Sequence, residues 1–133
     1  MITSTERGFW FLTTPYTKFA GGTTQAAAMA ILEVGRLHQA GVLVFSPVAH
    51  SHAIIEAFDD IAGRFKAWAD FDMALLRPAI GLIVLELPGW DVSEGVAASV
   101  DLAMKLEKQI VYMVPGVLPA ELAPGLTHRL RRP

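Results

Sequence analysis

The sequence contains no cysteine. This excludes disulfide bonds, thiolate catalysis and metal sites built on cysteine, and it is compatible with a reducing compartment. No apolar run reaches the roughly 18 to 20 residues that a membrane-spanning helix needs, because polar or charged residues interrupt every candidate. The first ten residues, MITSTERGFW, lack the basic and apolar regions of a secretion signal. We therefore expect a cytoplasmic protein with no membrane partner.

An excess of charge of one sign is also missing. The chain has 11 lysine and arginine residues against 13 aspartate and glutamate residues, and its pI is near 6.0. No overall field would attract a nucleic-acid backbone, so we expect no nucleic-acid partner. Three arginines are concentrated near the C-terminus, at Arg129, Arg131 and Arg132. This basic cluster is either a solvated tail or a contact with a phosphate or a partner.

Apolar residues, by contrast, are abundant, at 53% of the chain with a mean hydropathy of +0.41. A length of 133 residues fits a single domain, for which we place the core at about residues 9–114 and a tail at 115–133. The apolar fraction exceeds that of a typical soluble domain, which indicates a filled core together with a buried subunit interface. We expect a homodimer or a higher homo-oligomer.

Short apolar runs bounded by glycine or proline alternate with stretches of helical periodicity. The runs predict strands at residues 9–14, 42–46, 81–87 and 110–114. Helices are predicted from Thr23 to a stop at Gly41 and from Ser93 onward. Between the second and third strands we predict a loop, a short helix near 54–61 and a helix over 63–76. This order predicts a three-layer, Rossmann-like (flavodoxin-like) α/β fold with a parallel sheet of four to five strands.

In open α/β sheets, ligands bind beyond the carboxyl ends of the strands. Thr14 ends the first predicted strand and Tyr16 follows it, and we take both as substrate-binding candidates, with Tyr16 able to stack on a ring. The pair Gly21 and Gly22 precedes a helix start. It is either an ordinary turn or a place where backbone amides hold an anion.

His50 and His52 follow the second predicted strand. Two histidines at this spacing can share a metal ion, but no third ligand stands at a recognisable spacing. We therefore expect neither a metal nor a cofactor, and we interpret both histidines as structural or substrate-facing groups that form hydrogen bonds.

Polar residues also follow the third predicted strand. Ser93 can cap the helix while its hydroxyl and the following amides face a ligand anion. Glu94 favours the helix dipole but would repel a phosphate unless it points away, which leaves an uncharged sugar or a cationic partner open. Trp90 and Gly95 are further substrate-binding candidates in this segment. Asp72, on the preceding helix, is either a second acidic site residue or a solvated carboxylate.

Several segments together resemble a known family: FLTTPYT, GVLVFSPVAHSH, the helix that carries Asp72, RPAIGLIVLELPGW and SEGVAAS. They resemble the small bacterial and phage proteins of the DUF1937 type, which are similar to nucleoside 2-deoxyribosyltransferases and deoxynucleoside 5′-monophosphate N-glycosidases. The resemblance covers residues 9–114. It implies the same fold and a nucleoside or nucleotide as the small-molecule partner.

The resemblance also implies roles for individual residues. In those enzymes a glutamate near the start of the helix after the third strand attacks the anomeric carbon and forms a covalent glycosyl intermediate. Ser93 and Gly95 match the family spacing, and Ser93 resembles the phosphate-binding serine of the monophosphate-directed enzymes. Asp72 matches the aspartate that positions or protonates the substrate. The glutamate position holds Ser99, whose neutral hydroxyl is a poor nucleophile without a base.

Two hypotheses follow from this replacement. In the first, the chain is an N-glycosidase or a deoxyribosyltransferase-like enzyme in which Asp72 or Glu94 activates a water molecule, so the catalytic candidates are Asp72, Ser99 and Glu94. In the second, it is a catalytically impaired module that binds a nucleotide-like metabolite. Fold resemblance cannot choose between them, because function belongs to the site.

Overall fold

The computed structural model describes residues 7–122, so the three tail arginines lie outside the described residues. Within that range, strands alternate with helices. The elements are β1 (Trp10–Thr13), α1 (Thr23–Gln39), β2 (Val44–Phe45), α2 (Pro47–Ala57), α3 (Phe65–Leu76), β3 (Gly81–Leu85), α4 (Glu94–Lys105) and β4 (Gln109–Met113), with short 3-10 turns at Trp90–Val92 and Ala120–Leu122. None of the described helices is both long and apolar enough to span a bilayer.

The described strands form one parallel sheet in the order β2-β1-β3-β4. The chain therefore moves from β1 outward to β2, crosses back over β1 to β3, and continues outward to β4. This change of direction lies between β1 and β3, whose carboxyl ends are adjacent. The predicted Rossmann-like α/β fold with a parallel sheet is confirmed, with four strands among the described residues.

Helices cover the sheet on both faces, because successive side chains of a strand point to opposite sides. Trp10 and Leu12 pack in one cluster with α1, and Phe11 packs in the other with α3 and α4. The segment after β4 joins the first cluster through Leu122, which is buried. Glu33 of α1 ties this segment down, since its Oε1 accepts hydrogen bonds from the amide of Gly116 at 2.9 Å and from Arg36 at 3.1 Å.

The second strand is shorter and more exposed than the sequence predicts. Residues 42–46 form an apolar run that is typical of a strand covered on both faces. In the structure only Val44 and Phe45 pair with β1, both are half-buried, and Leu43 is exposed. Strand β2 is exposed because it lies at the edge of the sheet and has a neighbouring strand on one side only.

The loop predicted after the second strand is also wrong. Helix α2 begins at Pro47, directly after β2, and ends at Ala57, so it replaces both the loop and the short helix predicted near residues 54–61. Ser46 caps this helix by accepting a hydrogen bond from the amide of Ala49 at 3.0 Å. Proline lacks a backbone N–H, but the N–H at the first helical position has no partner within the helix, so proline there costs no hydrogen bond.

The close contact of β1 and β3 gives a prediction about stability. A Cβ atom added at Gly81 would lie 2.3 Å from the ring of Trp10, which is buried and held by the core around it. We expect Gly81→Ala to lower the free energy of unfolding by about 1 to 3 kcal/mol, measured by urea denaturation. Gly35→Ala is the control, since a Cβ there meets no atom within 4 Å and alanine favours the helix. Equal stability of Gly81→Ala and the parent chain would contradict this packing.

Candidate functional site

A cleft opens at the carboxyl ends of β1 and β3, where the crossover connections diverge. Ligands of open α/β sheets bind at such switch points. The cleft contains about 580 Å³ of space counted out to its mouth, where it is continuous with solvent. Its walls come from the loop after β1, from α2, from the start and middle of α3, and from the N-terminal part of α4.

The structure brings together most of the residues that sequence reasoning selected for the site. Those on the cleft wall are Thr14, Tyr16, His52, Asp72, Ser93, Gly95 and Ser99. They are distant in sequence and meet because the loop after β1, two helices that follow β2, and the helix after β3 all border the same edge of the sheet. This convergence makes the cleft the candidate site.

Three other candidates lie elsewhere. His50 stands two positions from His52 on α2, which is about 200° around a helix, and it stacks on Phe71 with ring centroids 5.1 Å apart. Trp90 contacts the ring of Tyr112 at 5.7 Å, on the side of β4. Glu94 is exposed in the first turn of α4, and the cleft wall does not include it. The structure therefore gives these three residues no contact with the cleft.

Tyr16 and His52 form a hydrogen-bonded pair on the cleft wall. The Tyr16 hydroxyl lies 2.6 Å from Nδ1 of His52, and the two rings meet edge to face at 5.7 Å. Burial raises the pKa of the Tyr16 hydroxyl above its usual value, so the group stays neutral at physiological pH. The hydrogen bond joins the loop after β1 to α2 and fixes both rings against the wall.

Asp72 is the carboxyl group of this cleft. Among residues 7–122 it supplies the one carboxyl side chain on the wall, and its Oδ1 is buried without a hydrogen-bond partner. Burial raises its pKa from 3.8 to about 6, since desolvation penalises the charged form. A carboxyl group with this pKa can both donate and accept a proton near neutral pH, which is what acid–base chemistry requires.

The raised pKa also predicts how stability depends on pH. Between pH 3.8 and about 6 the folded protein keeps a proton on Asp72 that the unfolded chain has released. The contribution of this group to the free energy of unfolding therefore falls as pH rises through that interval, and stays low above it.

We expect Asp72→Asn to stabilise the fold at pH 8 by about 1 kcal/mol, which is less than the full pKa shift would give because solvent screens a half-buried group, and to change the stability little at pH 4. Thermal unfolding of both proteins at the two pH values measures this difference. Asp70→Asn is the control, because Asp70 is exposed on the same helix. A loss of stability at pH 8 in Asp72→Asn would show that the carboxylate is held by favourable contacts.

The two serines of α4 are already engaged in the helix. Ser93 is the N-cap, and its Oγ accepts a hydrogen bond from the amide of Val96 at 3.3 Å. Ser99 donates its hydroxyl to the carbonyl of Gly95, one turn earlier, at 2.8 Å. The Ser99 hydroxyl therefore points back along the helix, and no base contacts it among the described hydrogen bonds.

Sequence reasoning missed much of the rest of the wall. An aromatic and apolar side is formed by Tyr16 together with Ile55, Phe65 and Trp68. Phe65 packs over the start of α4, since a Cβ at Gly95 would lie 3.3 Å from its ring. Trp68 is fixed by donating its indole N–H to the carbonyl of Ala62 at 2.9 Å. One signal was available: Phe65, Trp68 and Asp72 stand at i, i+3 and i+7 on α3, and so share a face.

Hydroxyl groups also line the wall. Five of the serine and threonine side chains that line the cleft, at the strand ends and on the adjacent helices, are buried: Thr13, Thr14, Ser51, Ser93 and Ser99. We call these residues the hydroxyl floor. No lysine or arginine of the described range lines the cleft, and no described cluster of three or more histidine, aspartate or glutamate side chains could hold a metal ion. The cleft thus combines aromatic and apolar side chains with buried, uncharged hydroxyl groups.

Comparison with protein families gives one match. The family model described as "Domain of unknown function (DUF1937)" matches residues 8–114, which include every element from β1 to β4. A search of curated proteins finds no match.

Proposed function

The chain belongs to the DUF1937 family, and from that premise and the contents of the cleft we propose that it hydrolyses the N-glycosidic bond of a nucleoside or nucleotide. The observation that carries the proposal is Asp72, a half-buried carboxyl group with a raised pKa and a buried, unpartnered oxygen on the wall of the cleft. The resemblance to nucleoside 2-deoxyribosyltransferases and N-glycosidases supports the same ligand class.

The two sides of the cleft suit the two halves of such a ligand. The base stacks against the apolar side, where Tyr16 and Trp68 offer ring faces or edges. The sugar lies on the hydroxyl floor, where its oxygens exchange hydrogen bonds with threonine and serine hydroxyls. Asp72 and Trp68 lie one helical turn apart on α3, so the carboxyl group is near the junction of base and sugar.

In the proposed reaction, Asp72 acts as the general acid. The bond between the anomeric carbon and the base nitrogen breaks, its electron pair stays on the nitrogen, and the nitrogen takes the proton of Asp72. Water adds to the oxocarbenium-like carbon and returns a proton to the Asp72 carboxylate. Hydrolysis in one displacement is favoured over a covalent route, because Ser99 is neutral and its hydroxyl is engaged with Gly95.

The test is release of free base from a panel of nucleosides and their 5′-monophosphates, followed by chromatography. We expect slow but enzyme-dependent release from at least one member, reduced by Asp72→Asn. Release that is unchanged in Asp72→Asn would overturn the assigned role of the carboxyl group.

One observation favours a second candidate, a module that binds a nucleotide-like metabolite without turnover. It is the engaged hydroxyl of Ser99 at the position where the resembling enzymes carry their nucleophile. Calorimetric titration of the same panel separates the two, since saturable binding with no base release supports the module.

We further propose that the chain acts as a homo-oligomer in the cytoplasm, a compartment suited to a chain without cysteine. Large apolar side chains are exposed on β4 and just after it: Tyr112 is 49% exposed, Val114 55% and Val117 59%. Strand β4 is an edge of the sheet and can pair with another copy. We expect light scattering at micromolar concentration to show a dimer or larger species, shifted toward monomer by Tyr112→Lys. A uniform species of 14.4 kDa would contradict this.

A further inference from the structure

Two buried oxygen atoms on the cleft wall have no hydrogen-bond partner among residues 7–122. They are Oγ1 of Thr14, at the end of β1, and Oδ1 of Asp72, on α3. Thr14 is only 5% exposed. Buried polar atoms without partners are rare in folded proteins and cost free energy, so two of them on the wall of one cleft point to a ligand whose polar groups complete them.

The chemistry of these two atoms selects the kind of group. A threonine hydroxyl both donates and accepts, whereas an aspartate carboxylate accepts only and a protonated aspartate also donates. A sugar hydroxyl can donate to one oxygen and accept from the other in either protonation state of Asp72. A carbon–hydrogen group in the same place would leave both protein oxygens unpaired.

Ser99 determines where on the sugar there is room. The resembling enzymes place a glutamate here, against the anomeric carbon, and serine is much shorter. The Ser99 hydroxyl is also turned back to the carbonyl of Gly95. The space left beside the anomeric carbon is therefore space for a substituent on the neighbouring ring carbon, the 2-position.

We infer that this cleft takes a ribosyl group with its 2-hydroxyl, and that Thr14 is the residue that distinguishes it from a 2-deoxyribosyl group. The inference rests on the proposed function, because it assumes that a nucleoside-type ligand occupies the cleft. It departs from the preference of the resembling deoxyribosyl enzymes. The difference follows from the hydroxyl floor and from the short side chain at position 99.

The experiment is calorimetric titration of the full chain with four pairs of probes: adenosine, guanosine, cytidine and uridine, each against its 2′-deoxy counterpart. We expect at least one ribonucleoside to bind roughly tenfold or more tightly than its 2′-deoxy form. Thr14→Val keeps the shape of the side chain and removes its hydroxyl, so it should abolish this ratio by weakening the ribonucleoside alone.

Thr17→Val is the matched control, because Thr17 also lines the cleft but is exposed, and we expect it to keep the ratio of the parent chain. Circular dichroism checks that each variant folds. If Thr14→Val does not fold, the ratio of ribonucleoside to deoxynucleoside affinity in the parent chain alone tests the inference. If the deoxynucleosides bind as tightly as the ribonucleosides or more tightly, the inference is overturned. If the protein also releases the base from those deoxynucleosides, the proposed function still stands. If neither series binds or loses its base, the proposed function fails together with the inference.

Discussion

Replacing Asp72 by asparagine is expected to reduce base release by about 10²- to 10⁴-fold, the range usual for loss of a general acid or base. Asparagine has nearly the same shape, so the cleft should keep its volume and its apolar wall. What is lost is the proton that the leaving base needs. We therefore expect kcat to fall while the dissociation constant of the ligand changes little.

The pH dependence identifies the direction of proton transfer. Burial raises the pKa of Asp72 to about 6, so the protonated form required of a general acid declines as pH rises through that value. We expect kcat/KM to be level below about pH 6 and to decrease above it, and this limb should be absent in Asp72→Asn. A rate that increases through pH 6 would instead identify Asp72 as a base that activates water.

Asp70→Asn provides the control for both measurements. Asp70 lies two positions away on α3 and is exposed, so the same chemical change is made on another face of one helix. We expect its rate and its pH profile to match those of the parent chain. If both variants lose activity equally, the effect comes from the charge of the helix and not from the cleft.

The regular part of this fold was predictable because burial leaves a clear pattern in the sequence. The run at residues 81–85 is apolar throughout because β3 lies between two strands and is covered on both faces. The stripe of α1 repeats with the helical period because one side of that helix packs on the sheet. From these elements the carboxyl edge of the sheet, and hence the region of the cleft, could be located.

The start of α2 could have been predicted but was not. Pro47 suggested the end of a strand and a loop, although Ser46 followed by proline is also a favourable helix start. A loop would allow His50 and His52 to face the same site. On a helix, residues two positions apart point in different directions, so His50 faces away from His52. The error shows that proline after a capping residue should be tested as a first helical position.

The apolar side of the cleft could not be obtained from local pattern. Phe65 and Trp68 share a helical face with Asp72, but their spacing is also that of a core stripe, so the spacing alone does not distinguish a core face from the wall of a cleft. Their role depends on how α3 packs over the start of α4, where Phe65 covers Gly95. The unpaired oxygens of Thr14 and Asp72 are likewise properties of packing and not of residue type.

Introducing a carboxylate at position 99 is expected to have the opposite effect to Asp72→Asn. Ser99 is buried on α4, one turn after Gly95, and it lines the cleft. A glutamate at this position would extend toward the ligand, and the nearby start of the helix would favour its ionised form. We expect Ser99→Glu to release base from 2′-deoxynucleosides at least about 10²-fold faster than the parent chain, through a covalent glycosyl intermediate.

Ser99→Gln is the matched control, because glutamine has the size of glutamate without its charge, so it separates filling of the cleft from nucleophilic attack. The added side chain should also occupy the space beside the anomeric carbon, and both variants should therefore bind ribonucleosides more weakly than the parent chain. Mass spectrometry after rapid quenching should detect the glycosyl adduct in Ser99→Glu alone, and Asp72→Asn in that background should slow its formation. A parent chain that turns over rapidly and loses this rate in Ser99→Glu would show that the chemistry runs through another group, and that position 99 is not the nucleophile position.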